Sequence, residues 1–372
     1  MTVKGWCPGA WRPMMSGDGL IIRIRPRLAR LTREQVLGLC ALSLSHGNGI
    51  IDLTSRANLQ MRGIAEDQHG NVLTALQHLN LLDATAEDES RRNIVVTPMW
   101  QAGDLTTRLH AALLNALPDL PDLPPKMGVA IDAGTGPVLS DTSADFRFER
   151  ADTGDLILRA DGAHKGKRVS EQNAPTALIE LAKWFVASDG FAAGRMSKHL
   201  KTKTFPDTWQ DTKPSPATGS ITPGAVTGGF VYGAPFGSID ARAMTRLIQD
   251  SQATALRVTP WRTFLLEDAL PCDTHGFVTS RTDPLLRIHA CPGAPACSAA
   301  TVDTRALARQ LAPHHSGTFH ISGCSKGCAH PRPATTTLVG RDGAFDLVEN
   351  GHPWDAPRQR GLTPNDLLTT AS

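Results

Sequence analysis

The sequence predicts an α+β protein, with mixed sheets covered by helices and two similar halves related by a pseudo-two-fold axis. Three observations predict it. A strand–helix–strand succession near residue 20 recurs near residue 228. Thr54 and Thr259 stand 205 residues apart, each followed within three residues by an arginine, Arg56 and Arg262. Residues 205–224 carry four prolines and little apolar material, as a linker between halves does.

In the first half, GLIIRIRP alternates apolar and basic residues from Gly19 to Pro26, the signature of a half-buried strand. Thr32 and Gln35 stand in capping-box order, and VLGLCALSL continues as an amphipathic helix. Gly47-Asn48-Gly49 ends that helix, and IIDLTSR follows as a strand. In the second half GGFVYGAPF is the strand, Asp240 caps a helix through ARAMTRLIQDS, and ALRVTPWRTFLL reads as the next strand. A second repeat pairs Arg92–Val96, the helix DLTTRLHAALLNAL and the strand KMGVAID with Leu286–Ile288, the helix DTRALARQLA and the strand GTFHIS. DFRFER, DLILRADG, TTTLVG and AFDLVENG add strands, the last two joined by a hairpin turn at Arg341-Asp342-Gly343. LIELAKWFVAS is an amphipathic helix.

At 372 residues the chain has room for two or three domains of about 100–200 residues. A net charge of +2 gives no electrostatic footprint for nucleic acid. Charged residues at 20% with 41% hydrophobic residues exclude general disorder. No apolar run approaches the roughly 18 residues of a membrane helix, and MTVKGWCPGAWRP lacks the apolar region of a secretory signal. The expected setting is the cytoplasm, with no membrane partner.

Reduced cytosolic thiols turn attention to cysteine chemistry other than disulfides. Of seven cysteines, Cys291, Cys297, Cys324 and Cys328 crowd into 38 residues as C-x5-C and C-x3-C. Four thiolates brought together close a tetrahedral zinc site or hold a 4Fe–4S cluster. C-x5-C is loose for a zinc knuckle, and the wider gap suits a cluster. Pro292, Gly293, Gly323 and Gly327 permit the bends that aim sulfurs at one centre. Cys40 lies in an apolar helix and reads as core. Cys7 and Cys272 receive no role.

From Leu53 to Gly63, Arg56, Asn58, Gln60 and Arg62 occupy alternate positions and would share one face of a strand. Such a face meets either solvent or an anionic ligand, whose carboxylates arginine forks recognise. Arg91, Arg92 and Lys126 add cations. Arg23, Arg25, Arg27 and Arg30 fit a ligand face or an ordinary solvated face equally. His289, His320 and His330 flank the cysteines, as metal ligands or as hydrogen-bonded structural histidines.

The two cysteine pairs, together with T-S-R-x-x-x-Q-x-R-G, R-N and L-P-x-K, resemble the nitrite/sulfite reductase superfamily over most of the chain. The resemblance implies duplicated reductase-like halves. These are a ferredoxin-like half-domain at 1–85, an α/β domain at 86–204, the linker at 205–224, a second ferredoxin-like half-domain at 225–285, and a 4Fe–4S-binding α/β domain at 286–372. It implies that Cys291, Cys297, Cys324 and Cys328 hold a 4Fe–4S cluster, with Cys328 bridging to sirohaem where that group is bound. Arg56 and Arg92 match basic residues around the macrocycle, and Lys126 matches the first of two active-site lysines. The second position is Gly128, which leaves the oxyanion-reducing set incomplete.

The N-terminal text CPGAWRPMMSGDGLIIRIRP resembles the precorrin-3B synthase branch, which takes the tetrapyrrole as substrate. That resemblance implies precorrin-3A and molecular oxygen as substrates, meso-carbon hydroxylation with lactone closure, a 4Fe–4S cluster and a mononuclear non-haem iron. Its iron ligands are not evident in the sequence. Arg56, Arg92 and Lys126 are then the expected catalytic residues, and Arg56, Asn58, Gln60, Arg62, Arg92 and Lys126 the substrate-binding set. No nicotinamide-binding G-x-G-x-x-G opens a helix after a strand, so a separate electron-donating reductase is expected. Two alternatives are a sirohaem-dependent nitrite or sulfite reductase and a non-catalytic iron–sulfur or tetrapyrrole-binding protein.

Overall fold

The computed structural model describes residues 8–371, and Cys7 lies outside them. The chain opens with a hairpin, β1 (Met14–Ser16) and β2 (Gly19–Ile24). β2 buries Leu20, Ile22 and Ile24 and turns Ile21 and Arg23 to the other face, as its alternation dictates. A short strand β3 (Arg30–Thr32) leads into helix α1 (Arg33–His46). The capping box forms: the Thr32 hydroxyl accepts from the Gln35 amide at 3.3 Å, and Gln35 Oε1 accepts from the Thr32 amide at 2.9 Å. Strands β4 (Ile50–Leu53) and β5 (Leu59–Ile64) and helix α2 (His69–His78) complete the unit. Cys40 packs on α1's inner face, 1% exposed, and burial pushes its thiol up to about 12.

An α/β domain follows, with α3 (Ala86–Arg91), β6 (Ile94–Val96), α4 (Leu105–Ala116), β7 (Val129–Asp132), β8 (Phe146–Arg150), β9 (Leu156–Ala160) and β10 (Lys167–Arg168). Its sheet runs β10-β9-β8-β7-β6, parallel from β6 to β8 and antiparallel beyond. Helix α5 (Ala174–Ala187) covers it, and the short helices α6 (Gly190–Ala193) and α7 (Met196–His199) close the domain.

The pattern then repeats. β11 (Gly224–Val226), β12 (Gly229–Gly233), β13 (Ser238–Asp240), α8 (Ala241–Ser251), β14 (Ala255–Val258) and β15 (Thr263–Glu267) retrace the first unit. β16 (Ile288–Ala290), α9 (Arg305–Leu311), β17 (Phe319–Ser322), β18 (Ala334–Arg341), β19 (Ala344–Gly351), β20 (Gln359–Leu362) and α10 (Pro364–Ala371) retrace the second. The β16-β17-β18-β19-β20 sheet has the same parallel-then-antiparallel order as its counterpart. The two hairpin units exchange a strand. One sheet runs β1-β2-β5-β4-β13 and the other β11-β12-β15-β14-β3, so each takes its last strand from the opposite half. Helices α1 and α8 pack on each other between them. The main hydrophobic core runs through both hairpin units and the first α/β domain, while the last domain keeps a smaller core of its own beneath α9.

Three expectations change. ALRVTPWRTFLL is two antiparallel strands, β14 and β15, joined by a tight turn in which the Thr259 hydroxyl donates to the Thr263 carbonyl at 2.9 Å. IIDLTSR stays extended only to Leu53. Ser55-Arg56-Ala57 is a turn with Ala57 in the left-handed region (φ 53°), so Arg56 does not share a strand face with Gln60 and Arg62. Residues 205–224 are no free tether. Pro214 and Thr212 form β-bridges to Ala151 and Gly166, and Trp209 is buried beneath Lys167. Among the described residues no helix is long and apolar enough to cross a membrane.

Candidate active site: four thiols against a basic sheet face

Cys291 follows β16 and Cys324 follows β17, so the parallel pairing of these strands brings the two cysteine loops side by side. The Gly323 amide donates to Cys291 Sγ at 3.0 Å. Cys297 is set by its amide bonding the Gly293 carbonyl at 2.8 Å, and Ser322 Oγ donates to the Cys324 carbonyl at 2.7 Å. Desolvation pushes the Cys328 thiol up, and the sulfurs of Cys324, Cys291 and Cys297 push it further. Cys324, Cys291 and Cys297 therefore each lie within electrostatic reach of Cys328. Among the described residues no three His, Cys, Asp or Glu side chains come close enough to hold a single metal ion. The four thiols and the amide-to-sulfur bond are the kind of donor set that a sulfur-ligated centre uses.

Three histidines stand beside the loops. His289 and His330 lie face to face at 4.0 Å between ring centroids, and His320 meets His330 edge-on at 5.8 Å. Burial pulls His289 down to about 2, helped by Arg262, and His320 down to about 4, so both rings are neutral at pH 7. Neither ring nitrogen of the fully buried His320 has a partner among the described residues. Arg262, whose burial lowers its pKa to about 10, spends its guanidinium on the carbonyls of Ile288 at 2.6 Å and Leu286 at 2.7 Å.

The cysteine domain packs on the face of the β1-β2-β5-β4-β13 sheet that carries Arg23, Gln60, Arg62 and Asp52. Arg305, at the start of α9, reaches this face and pairs with Asp52 at 3.3 Å. Gln60 Oε1 accepts from Arg23 Nη2 at 3.3 Å. Buried Nε atoms of Arg23, Arg25 and Arg305 have no partner among the described residues. Leaving such donors unpaired and shut off from water carries a desolvation cost. Beyond this face Arg25 borders a cavity of about 520 Å³ lined also by Arg12, Arg91, Pro124 and Met127. The cysteines do not line it. A neighbouring cavity of about 430 Å³ adds Arg27, Arg30 and Arg92.

The expected binding residues divide. Lys126 is half-buried, and its ammonium has no partner among the described residues. Arg56 Nη2 donates to the Lys126 carbonyl at 2.7 Å and also reaches Ser143, which Arg195 holds at 3.0 Å, so Arg56 braces the lysine loop. Asn58 is buried behind the turn. Arg92 forms a buried fork with Asp83 at 2.8 and 2.7 Å and bonds the Arg25 carbonyl, so Nε and Nη2 are engaged by protein groups while the side chain also lines the 430 Å³ cavity. Arg62 has Nε and Nη2 taken up by Asp18, Ser16 and the Ala296 carbonyl. Sequence reasoning does not single out Arg23, Arg25, Asp145 or Arg195 as site residues. For the first pair the only signal is the alternation in β2.

Residues 12–79 match the nitrite/sulfite reductase ferredoxin-like half domain. The structure of the Mycobacterium tuberculosis NirA protein superposes on this chain with a TM-score of 0.62 at 18% identity, covering 94% of this chain and 79% of that one. The fold is therefore similar to that of the NirA protein, and its first hairpin unit matches a ferredoxin-like half domain. A precorrin-3B synthase from Sinorhizobium sp is 29% identical, over 94% of this chain and 83% of the relative. Position 128 is sterically restricted. A Cβ on Gly128 would stand 2.7 Å from Asn93 Nδ2 and 2.8 Å from the Asn93 carbonyl, so a larger side chain there would have to displace Asn93. The Gly128 amide and carbonyl are in turn held by Asp145.

Proposed function

We propose that this chain is an oxygen-dependent oxidoreductase of the precorrin-3B synthase type. It hydroxylates precorrin-3A at the meso carbon between rings A and D, and a ring A acetate closes a lactone. The observation that carries the reading is 29% identity to a precorrin-3B synthase along 94% of the chain. One atom of O2 goes to the carbon, and an external reductant supplies the electrons that take the other to water. Cys291, Cys297, Cys324 and Cys328 would hold a 4Fe–4S cluster, which supplies electrons one at a time when bound.

The chain's own residues do the rest. Arg25, on the wall of two cavities, with Arg23 near it on β2, and Lys126 would bring positive charge to the carboxylates of a large acidic ring. Asn58 and Gln60 add neutral polar groups, and Arg56 fixes the loop from which Lys126 projects. Arg92, locked to Asp83, shapes the cavity wall. No residue set is assigned to a mononuclear iron. A sirohaem-dependent reductase would draw on a second lysine to protonate its oxyanion, and Gly128 stands at that position here.

The test is anaerobically purified protein given precorrin-3A, oxygen and a reductant. A product heavier by one oxygen atom supports the reading, and its absence refutes it. Lys126→Ala is expected to weaken precorrin-3A binding without lowering the melting temperature.

A further inference from the structure

Cys297 sits on the looser of the two cysteine loops, and its neighbours are not confined to its own domain. The turn between β1 and β2, Ser16-Gly17-Asp18, presses directly on it. A Cβ on Gly17 would lie 2.6 Å from the Ser298 amide nitrogen and 3.3 Å from the Cys297 carbonyl carbon, both rigid backbone atoms. Only a glycine lets the turn approach so closely. Arg62 on β5 completes the contact. Its Nη2 donates to the Ala296 carbonyl at 3.0 Å, across 234 residues of sequence. Asp18 orients that guanidinium from two sides, at 3.2 Å to Nε and 3.1 Å to Nη2, and Ser16 accepts from Nη2 at 3.0 Å. The arginine is 6% exposed, so its fork is fixed and shielded from water.

We infer that Arg62 and the Gly17 turn are positioning elements for Cys297, setting where its sulfur stands relative to the other three thiols. The inference rests on Cys297 being a cluster ligand. Outer groups that orient a metal ligand through its backbone or hydrogen bonds govern affinity and potential without touching the metal. A buried guanidinium against the carbonyl preceding the ligand also places a positive charge beside a centre made of thiolates. The N-terminal sheet thus takes part in building a centre whose ligands all come from the C-terminal domain. Lysine cannot replace Arg62, because a single ammonium cannot span Asp18 and Ala296 in one plane.

The experiment uses the full-length protein reconstituted with ferrous iron and sulfide. Iron and sulfide content, the EPR spectrum after dithionite reduction, the midpoint potential and the rate of iron loss to an external chelator are measured. Gly17→Ala and Arg62→Met are expected to lose iron about 10–100-fold faster than the unaltered protein, with an altered EPR signal and potential. Arg62→Lys should not restore them. Gly17→Ala removes no bond, so it decides the question if Arg62→Met fails to fold by circular dichroism. Unchanged loss rates and potentials in a folded Gly17→Ala protein would overturn the inference. An unaltered protein that assembles no four-iron centre would instead refute the assignment of the thiols.

Discussion

The two α/β domains share a sheet order yet secure the loop after the middle parallel strand in opposite ways. In the first, β7 ends at Asp132, whose Oδ2 accepts from the Val138 and Leu139 amides at 2.8 and 2.6 Å. Arg147 holds the Leu139 and Thr142 carbonyls, and the fully buried Asp145 pairs with Arg195 at 2.9 Å. In the second, β17 ends at Ser322, whose hydroxyl holds one carbonyl, and the loop beyond it carries Cys324 and Cys328. One domain closes the loop with its own charges. The other carries cysteines, and the Gly323 amide at its start donates to Cys291 Sγ on the neighbouring loop. The same scaffold occurs twice, and the loop that one copy ties down with carboxylates and guanidinium groups is the one in which the other copy places cysteines.

The largest expected effect breaks the second arrangement. Cys291→Ser should abolish the visible cluster absorbance and the bound iron, whereas Ser at Cys40 leaves both. Chelation of iron from the intact protein should raise amide hydrogen exchange at 291–300 and 323–333 and leave 133–145 unchanged. Equal deprotection of both loops would erase the contrast. Next comes the charge-built side. Asp83→Ala leaves the buried Arg92 fork without its carboxylate and should destabilise the protein by roughly 3–5 kcal/mol in denaturant melts.

Asp132 sharpens the contrast through pH. Burial beside Glu149 pushes its carboxyl up to about 6, from an ordinary 3.8. The native state therefore holds this proton more tightly than the unfolded chain. The contribution to stability is complete below about pH 4 and is lost as pH rises towards 6, a change of about 3 kcal/mol. Asp132→Asn should flatten that slope and raise stability at pH 7, because the amide oxygen still accepts from the loop. A slope that survives the substitution would assign it elsewhere. The smallest effect is Gly128→Ala, expected to cost about 1–3 kcal/mol by pushing Asn93 aside, with no gain of sulfite or nitrite reduction.

Local chemistry was legible in the sequence, and contacts across long sequence separations were not. The capping box at Thr32 and the alternation of β2 depend on neighbours a few residues away, and both form as written. The spacing of the cysteines confines each pair to one loop, and the two loops follow the paired strands β16 and β17. The turn at Ser55-Arg56-Ala57 was hidden because its polar residues also suit a half-buried strand. Arg23 and Arg25 were ambiguous because alternation looks the same whether water or a second domain covers the face. Nothing local to Arg62 announced a partner as distant as Ala296, and nothing local to Arg92 announced that Asp83 would occupy both prongs of its fork.

The traded strands make the molecule indivisible. β3 belongs by sequence to the first hairpin unit and by hydrogen bonding to the second, and β13 does the reverse. A polypeptide cut between residues 210 and 222 would yield two pieces, each with a sheet lacking its outer ribbon and a helix, α1 or α8, lacking its mate. Such fragments would recover shape only by finding each other, and synthesis of the first must wait on the second before either sheet is complete.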